Sequence, residues 1–563
     1  MSLPFKAFLP VVLAISTLVT SCSNGPSRTS PSAAEESAQR ESSTRKKAAS
    51  LFPWRKGKCT ADEGGREFSV GPGGTLSSLS QVPWSTLMPG DTVRIHWRKV
   101  PYRTKILLSR SGDPERPIRI CGVANKEGER PIISGQNAET PEGLNRLDNY
   151  FSSDHDNFQG LGLIIISGNY NEKPANIVIE GLHLRHARNE YSFSNSRGEK
   201  RRYAKGAACI RIQAADNVVI RNNELDHCGN GIFTMSQAYN EASLTRNLLI
   251  EGNHLHDNGQ KGSYLEHNAY IQAIGVTYQF NRFGPNIAGA EGVNLKDRSA
   301  GTVIRYNWFE GGTRVMDLVE VEDSAPWFIE RAYLENLGDS APDPNRLNDV
   351  RATEAAYRTT HVYGNLIRHV GSSSPASNLI HYGYDNDPAL ARRGVLYFYN
   401  NTLMILNDRR DSWRIRLFDV YLYDEERGTP AQERVEAFNN IIFLAAETPG
   451  EDPSYLCFGR SSGHIHLGRN WVSPGWNEPD ALAECYEYDT KPAVTGTENL
   501  FGDIVNPVDE KTLLPVDLPS LRRVQPLPEK VGRTHPVQYQ YVLHQRGKPR
   551  PVLKTLGALE IDD

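Results

Sequence analysis

The run GVNLKDRSAGTVIRYNWFEGG, residues 292–312, concentrates groups that could do chemistry. Lys296, Asp297 and Arg298 stand in a row, and Arg305 follows closely. Such a knot of charge is most simply a solvated turn. The alternative is a reactive site. Lysine serves as a base only if its pKa falls well below about 10.4, and crowding by Arg298 and Arg305 acts in that direction. The same cations would hold an acidic polymer. Tyr270 or His267, in YLEHNAYIQA, is the matching proton donor, although such tyrosines more often pack. A second chemistry belongs to the carboxylates Asp317, Glu320 and Glu322, with Asp297 or Glu291 nearby in sequence. Hydrolysis of a glycosidic bond needs two of them about 5 Å or about 6.5–9.5 Å apart. Their simplest reading is solvent-facing charge between strands.

Only the surrounding elements can decide between these readings. One pattern recurs along the chain: apolar, any, apolar, any, any, Asn, any, apolar. It reads Val218, Ile220, Asn223, Leu225, then Leu248, Ile250, Asn253, Leu255, then Val276, Tyr278, Asn281, Phe283, then Thr302, Ile304, Asn307, Phe309. Later copies centre on Asn365, Asn401, Asn440 and Asn470. Ile177, Ile179, Leu182, Leu184 and Trp327, Ile329, Ala332, Leu334 keep the apolar frame without the Asn. Alternation with period two is a strand with one buried face. Its return at roughly 25–39 residues means stacked coils. Asn at one phase fits an internal ladder at a sharp turn, where it tolerates left-handed backbone. The expected fold is all-β, a right-handed parallel β-helix solenoid of the pectate-lyase-like kind. A β-propeller would show four strands per roughly forty residues and more hairpins.

The strands after the ladder are expected at 231–237, 267–273, 293–298, 314–322, 380–385 and 414–421, stacked in one parallel sheet. If Val293 and Leu295 point inward, then Asn294, Lys296 and Arg298 point out. By the same parity Asn268, Tyr270 and Gln272 point out, and so does Asp317 if Met316 and Leu318 are buried. Neighbouring strands lie about 4.8 Å apart, so these groups would line a shallow groove for an extended polymer. Arg305 falls at an outward phase beside the ladder. His254, His256 and His267, with Asp257 and Glu266, are dense enough for a metal site; the simpler reading is histidines in turns.

Glycine (47) and proline (34) are plentiful, as many short strands require. A formal net charge of −4 leaves no global basic field to draw in nucleic acid. Lys6 precedes the apolar run FLPVVLAISTLV, too short for a membrane span and right for a signal-peptide core. It ends Val19-Thr20-Ser21-Cys22, which resembles a bacterial lipobox. That resemblance makes Cys22 the lipidated residue and, with Ser23 after it, points to the outer membrane. The organisation expected is a lipoprotein signal peptide over 1–22 and a Ser-rich, charged tether over 23–50. First coils and cap follow over 51–175, the main stack over 176–475, and a closing segment over 476–563. Residues 185–205 are expected to loop out of the stack. Six further cysteines suit disulfides in an exported protein. Pairing of sequence neighbours gives Cys59–Cys121, Cys209–Cys228 and Cys457–Cys485.

The stretches YLEHNAYIQAIGVTYQFNRFGP and EGVNLKDRSAGTVIRYNWFEGG, with GPGGTLSSLSQVPWSTLMPGDTVRIHW earlier, resemble exported bacterial right-handed β-helix proteins described as polysaccharide-degrading. The resemblance spans most of residues 65–475. More distantly, Lys296 with Ser299 and Asn307 is similar to the alginate lyase and chondroitinase-B family. That likeness implies that Lys296 removes the C5 proton of a uronic acid, that an arginine assists, and that calcium neutralises the carboxylate. Glu291 matches one calcium-ligand position. The family's arginine falls near Asp317–Val319, where this chain has none; Arg298, Arg305 or Arg314 would have to substitute. The expectation is a polysaccharide lyase acting by β-elimination, with a paired-carboxylate glycoside hydrolase and a non-catalytic glycan-binding scaffold as alternatives. A membrane contact through the lipid, a polysaccharide substrate and a monomeric state complete it.

Overall fold

The computed structural model describes residues 59–141, 158–168, 172–235, 244–322, 324–370, 378–407, 415–421, 432–446, 456–460, 463–472, 493–495, 500–501 and 506–561. The chain divides into Met1–Leu51 and Phe52–Asp563. The first unit lies outside the described residues, and with it the expectations for the signal peptide, Cys22 and the tether. Cys485 and the side chain of Cys457 lie outside them too. Cys59–Cys121 and Cys209–Cys228 form as expected.

Parallel sheets of thirteen, ten and eleven strands build the second unit. Over its middle coils the chain visits each sheet once per turn. Asp216–Arg221 joins the thirteen-stranded sheet, Glu224–Asp226 the eleven-stranded one, and Asn230–Thr234 the ten-stranded one. The fold is a right-handed parallel β-helix. Each inward residue sits in register with its equivalent on the next coil. Ile220, Ile250, Tyr278 and Ile304 form one such row, and Ile232, Ala269, Leu295 and Met316 another. All are buried in one continuous core. Burial of a side chain of this size stabilises by about 1.5–3 kcal/mol, so the stack is held by repetition.

The asparagine ladder is present. Asn223, Asn253, Asn281, Asn307, Asn365, Asn401 and Asn440 each donate from Nδ2 to the Oδ1 of the next ladder member, ending at Asn470, over 2.8–3.2 Å. The same Nδ2 donates back to a carbonyl of the coil below, as Asn281 does to Ile250 at 2.8 Å. Every ladder side chain is fully buried, and losing one partner there costs about 1–3 kcal/mol. One detail of the expectation is corrected. The left-handed residue is the one before the ladder position: Asn222, Gly252, Phe280, Tyr306, Gly364, Asn400 and Asn439 have φ between 49° and 66°. The ladder amide bonds hold that turn even where a bulky aromatic pays the steric cost.

Three other expectations change. Trp327–Leu334 is no coil: Ala325–Phe328 and Glu330–Leu337 are helices, followed by Pro344–Tyr357. They form an excursion between Asn307 and Asn365. Pro326 at the start of the first helix cannot donate to a ladder and suits a helix N-terminus. His254 and His256 lie in a strand, not in a turn. The closing segment does not simply cap the last coil. It runs back along the ladder corner, where Gln525 bonds Asn439, Ala558 bonds Thr402, Gln538 bonds Tyr306, and Gln545 bonds Gly252. Arg185 still belongs to the eleven-stranded sheet, and after it the chain does leave the three main sheets, as the hairpin Ser192–Ser194 and Lys200–Arg202.

Candidate active site

The ten-stranded sheet gathers the strands expected to share a face: Asn230–Thr234, Ala269–Ile271, Leu295–Asp297, Met316–Leu318, Asn378–Gly383 and Ile415–Tyr421. Pairing sets Phe233, Tyr270, Lys296, Asp317, His381 and Asp419 side by side on successive strands. Their strand neighbours Ala269, Leu295, Met316 and Ile380 are buried in the core, so alternation turns this row outward. The apolar residues thus place Lys296 on the face.

Lys296 Nζ donates to Asp385 Oδ2 at 2.5 Å and lies 3.7 Å from Asp317 Oδ2. It stands 6.0 Å from the Tyr270 ring centroid. Asp317 also accepts from Arg314 at 2.9 Å and lies 3.3 Å from His381 Nδ1. Burial alone would raise the Asp317 carboxyl, but Arg314, His381 and Lys296 outweigh it and hold the group well below the usual range. For Asp385, burial again pushes upward and Lys296 prevails, lowering it. Both carboxyls are therefore ionised at neutral pH.

Arg298 has the expected outward parity but is not free to clamp a substrate. It is fully buried, donating to Tyr270 Oη at 3.0 Å and to the Glu320 carbonyl at 2.6 Å. It also pairs with Glu320, Glu322 and Asp385. Tyr270 Oη donates onward to Glu322 at 3.1 Å. Burial raises the Tyr270 phenol, with Arg298 opposing. Glu320, an expected hydrolytic carboxylate, is taken up by the backbone. It accepts the N–H groups of Asp385, Asn386 and Asp387 at 2.7–3.0 Å. That carboxylate folds the turn which carries Asp385 to Lys296. Arg392 fixes the turn's other end, donating to the carbonyls of Val319, Ser299, Tyr357 and Asp297.

Several expected residues lie elsewhere. Asn268 and Asn294 point inward as a second ladder: Asn258 donates to Asn268 at 2.9 Å, Asn268 to Asn294 at 3.0 Å, and Asn294 to the Gly311 carbonyl at 3.0 Å. They precede their strands at a corner, where alternation does not yet apply. Gln272 is buried, its Oε1 accepting the Glu322 N–H. Asp297 faces the core and accepts from Tyr278, Thr302, Ser299 and Arg392; it cannot partner a second carboxylate in the groove. Arg305 is on the thirteen-stranded sheet, bonded to Gln279 and Tyr363. His267 is close by, its ring 5.4 Å from that of Tyr270, but its Nδ1 accepts the Val293 N–H. Burial, then Lys296, lowers it to about 3, so it is neutral and cannot act as an imidazolium acid. Glu291 is exposed and joins no cluster of three His, Cys or acidic ligands among the described residues.

Sequence reasoning missed Asp385 and His381. The GYDNDP turn carries its own signal, Asn-Asp-Pro after a strand, but nothing in it points at Lys296. Beyond Tyr270 the face continues into a hollow of about 490 Å³ lined by Phe233, Asn230, Lys205, Lys261 and Glu266. Phe233 and Tyr270 meet edge to face at 5.0 Å.

A family model for the right handed beta helix region matches residues 148–309, a span that includes Tyr270, Lys296 and Arg298. No curated protein matches the chain. Among solved structures, a PL6 family polysaccharide lyase from Pseudopedobacter saltans shares 12% identity over 84% of this chain and 96% of its own, with a TM-score of 0.33. DFA-IIIase from Arthrobacter chlorophenolicus A6, without its lid and in complex with GF2, shares 12% over 73% and 84%, with a TM-score of 0.30. XylC in complex with xylose shares 12% over 79% and 88%, with a TM-score of 0.35.

Proposed function

We propose that this chain is an enzyme that cleaves a polysaccharide laid across the outer face of the ten-stranded sheet, with the reacting bond over Lys296, Asp317 and Asp385. One observation carries the reading: two ionised carboxylates converge on a single ammonium, at 2.5 and 3.7 Å. Oxygens so close to one nitrogen are nearer each other than the about 6.5–9.5 Å of an inverting glycosidase, and within reach of the about 5–5.5 Å of a retaining one.

The charge balance favours hydrolysis of a neutral glycan over attack on a polyuronate. Lys296, Arg298 and Arg314 are outnumbered by Asp317, Glu320, Glu322, Asp385 and Asp419. Such a site repels a polymer of carboxylates, and each of these three cations already pairs with a carboxylate. In the hydrolytic reading Asp317 attacks the anomeric carbon. The bond to the leaving oxygen breaks, and Lys296 Nζ gives that oxygen its proton. Water then displaces Asp317 and returns a proton to Lys296. Phe233 and Tyr270 offer apolar faces to a neighbouring sugar.

β-Elimination keeps one observation in its favour, the placement of Lys296 and Tyr270 side by side as base and acid. It requires a free lone pair on Nζ, so Asp385 would have to leave. Asp385→Asn separates the two readings. Hydrolysis predicts a loss of about a hundredfold, because the partner that positions Lys296 Nζ over the bond is gone; elimination predicts activity kept or raised. A panel of neutral and acidic polysaccharides, followed by new reducing ends and by ultraviolet absorbance, tests the whole. Reducing ends without absorbance support hydrolysis, absorbance supports a C4–C5 double bond, and neither signal on any polymer counts against an enzyme.

Export with a lipid anchor at Cys22 belongs to the same reading. Lys6, the apolar run and VTSC support it, as do two disulfides of the kind oxidising compartments favour. Cys22→Ser is expected to move the protein from the membrane fraction to the soluble one; unchanged fractionation would remove the anchor.

A further inference from the structure

The outer face of the eleven-stranded sheet carries a cluster that the cleavage chemistry does not use. Strand Glu224–Asp226 lies parallel to His254–His256, with Glu224 against His254 and Asp226 against His256. On its other side His183 stands against Glu224. Leu255 is in the core, so His254 and His256 both face outward, their rings stacked at 3.9 Å.

We propose that Glu224, His254 and His256 bind a divalent transition-metal ion of the zinc, cobalt or nickel class. Their donor atoms all lie within 4.8 Å of one another. His256 Nε2 and Glu224 Oε1 are 3.4 Å apart, the edge of a tetrahedron whose ligands stand about 2.1 Å from its centre. A small rotation of His254 brings the third donor in. The outer partner is already in place: His256 Nδ1 meets Asp257 Oδ2 at 2.7 Å. A carboxylate on the far nitrogen is what orients a metal-binding imidazole. The His254 ring makes no hydrogen bond among the described residues, so its nitrogens are uncommitted. Glu224 meets Arg130 through Oε2, at 3.4 Å; its Oε1 faces His256 Nε2 at 3.4 Å and His183 Nε2 at 4.0 Å, and an ion would replace the hydrogen bond to His256.

Two imidazoles and one carboxylate suit borderline metals, whereas calcium and magnesium ask for an all-oxygen shell. The other nearby set, His183, Glu224 and Asp226, is weaker. Asp226 is already occupied by His183 at 2.5 Å, Arg185 at 3.0 Å and His227 at 2.7 Å. Each ligand strand belongs to a different coil, so a bound ion would tie two coils together on a face other than the groove.

The test is calorimetric titration of the full chain, made without a histidine tag, with zinc, and of the same chain with cobalt read by its visible ligand-field bands. One ion per chain is expected, with a raised melting temperature. Glu224→Gln and His256→Gln should each weaken binding at least about tenfold, and Asp257→Asn by about tenfold. His183→Gln should leave it in place. Melting curves without metal establish that each variant is folded. No uptake by the unmodified chain, uptake that survives Glu224→Gln and His256→Gln together, or a loss on His183→Gln equal to that on His256→Gln would each overturn the site.

Discussion

Lys296→Ala lowers turnover on the true polysaccharide about a hundredfold to ten-thousandfold, the range for removing a positioned proton-transfer group. The expectation rests on geometry: among the described residues Lys296 is the one cation that pairs with both Asp317 and Asp385. Without it the bond over Asp317 has no proton donor in hydrolysis and no base in elimination, so the effect does not depend on which reading holds. Asp317 keeps Arg314 and His381, so the fold should survive, which a melting curve checks. Lys296→Arg is the informative companion. It keeps the charge, but a guanidinium gives up no proton near neutral pH, so it should be nearly as inactive. Full turnover by the alanine variant would show that Lys296 is only a structural cation, and recovery in the arginine variant would reduce its role to electrostatics.

The largest stability effect is expected at Arg392. This fully buried guanidinium donates to four carbonyls and meets the Asp297 carboxylate at 3.3 Å. Arg392→Met leaves those carbonyls without that donor and takes the counter-charge from a carboxylate facing the core. Breaking a buried pair by removing one member costs about 3–5 kcal/mol. Lower thermal and urea midpoints would register this. Asp297→Asn in the same background should recover part of the loss by removing the stranded charge. A variant that melts with the unmodified chain would mean that water satisfies these groups. Activity should fall as well, because Arg392 anchors the turn whose start brings Asp385 to Lys296.

The repeat was legible because it is written in two independent codes, apolar alternation and an amide at one phase. Both report on local geometry, so the ladder and the shared sheet could be read off the residues. Lys296, Tyr270 and Asp317 followed from parity inside strands. Parity failed where strands had not begun: Asn268 and Asn294 sit at a corner, where the chain still points its side chains inward. It failed again at Arg298 and Gln272, which have outward parity but are covered by Glu320, Glu322 and Ser324. That cover could not be foreseen, because the helices after it have apolar spacing close to that of a coil. Asp385 was invisible for a different reason. It lies 89 residues from Lys296 and reaches it through a turn held by Glu320, a side chain whose own sequence looks like surface charge. Arg305 was misplaced by closeness in sequence, which in a coil of three sheets does not mean a shared face.

The backward course of the closing segment has a consequence for how the chain matures. Synthesis runs from the N-terminus, so the residues that cover the corner at Phe280 and Tyr306 are made more than 200 residues after it. Gln538 bonds Tyr306 across 232 residues, and Gln545 bonds Gly252 across 293. Until they arrive, a half-built solenoid carries an open seam of stacked aromatic rings. The seam closes only once residues 538–545 are in place, so a chain cut short before them lacks the seal.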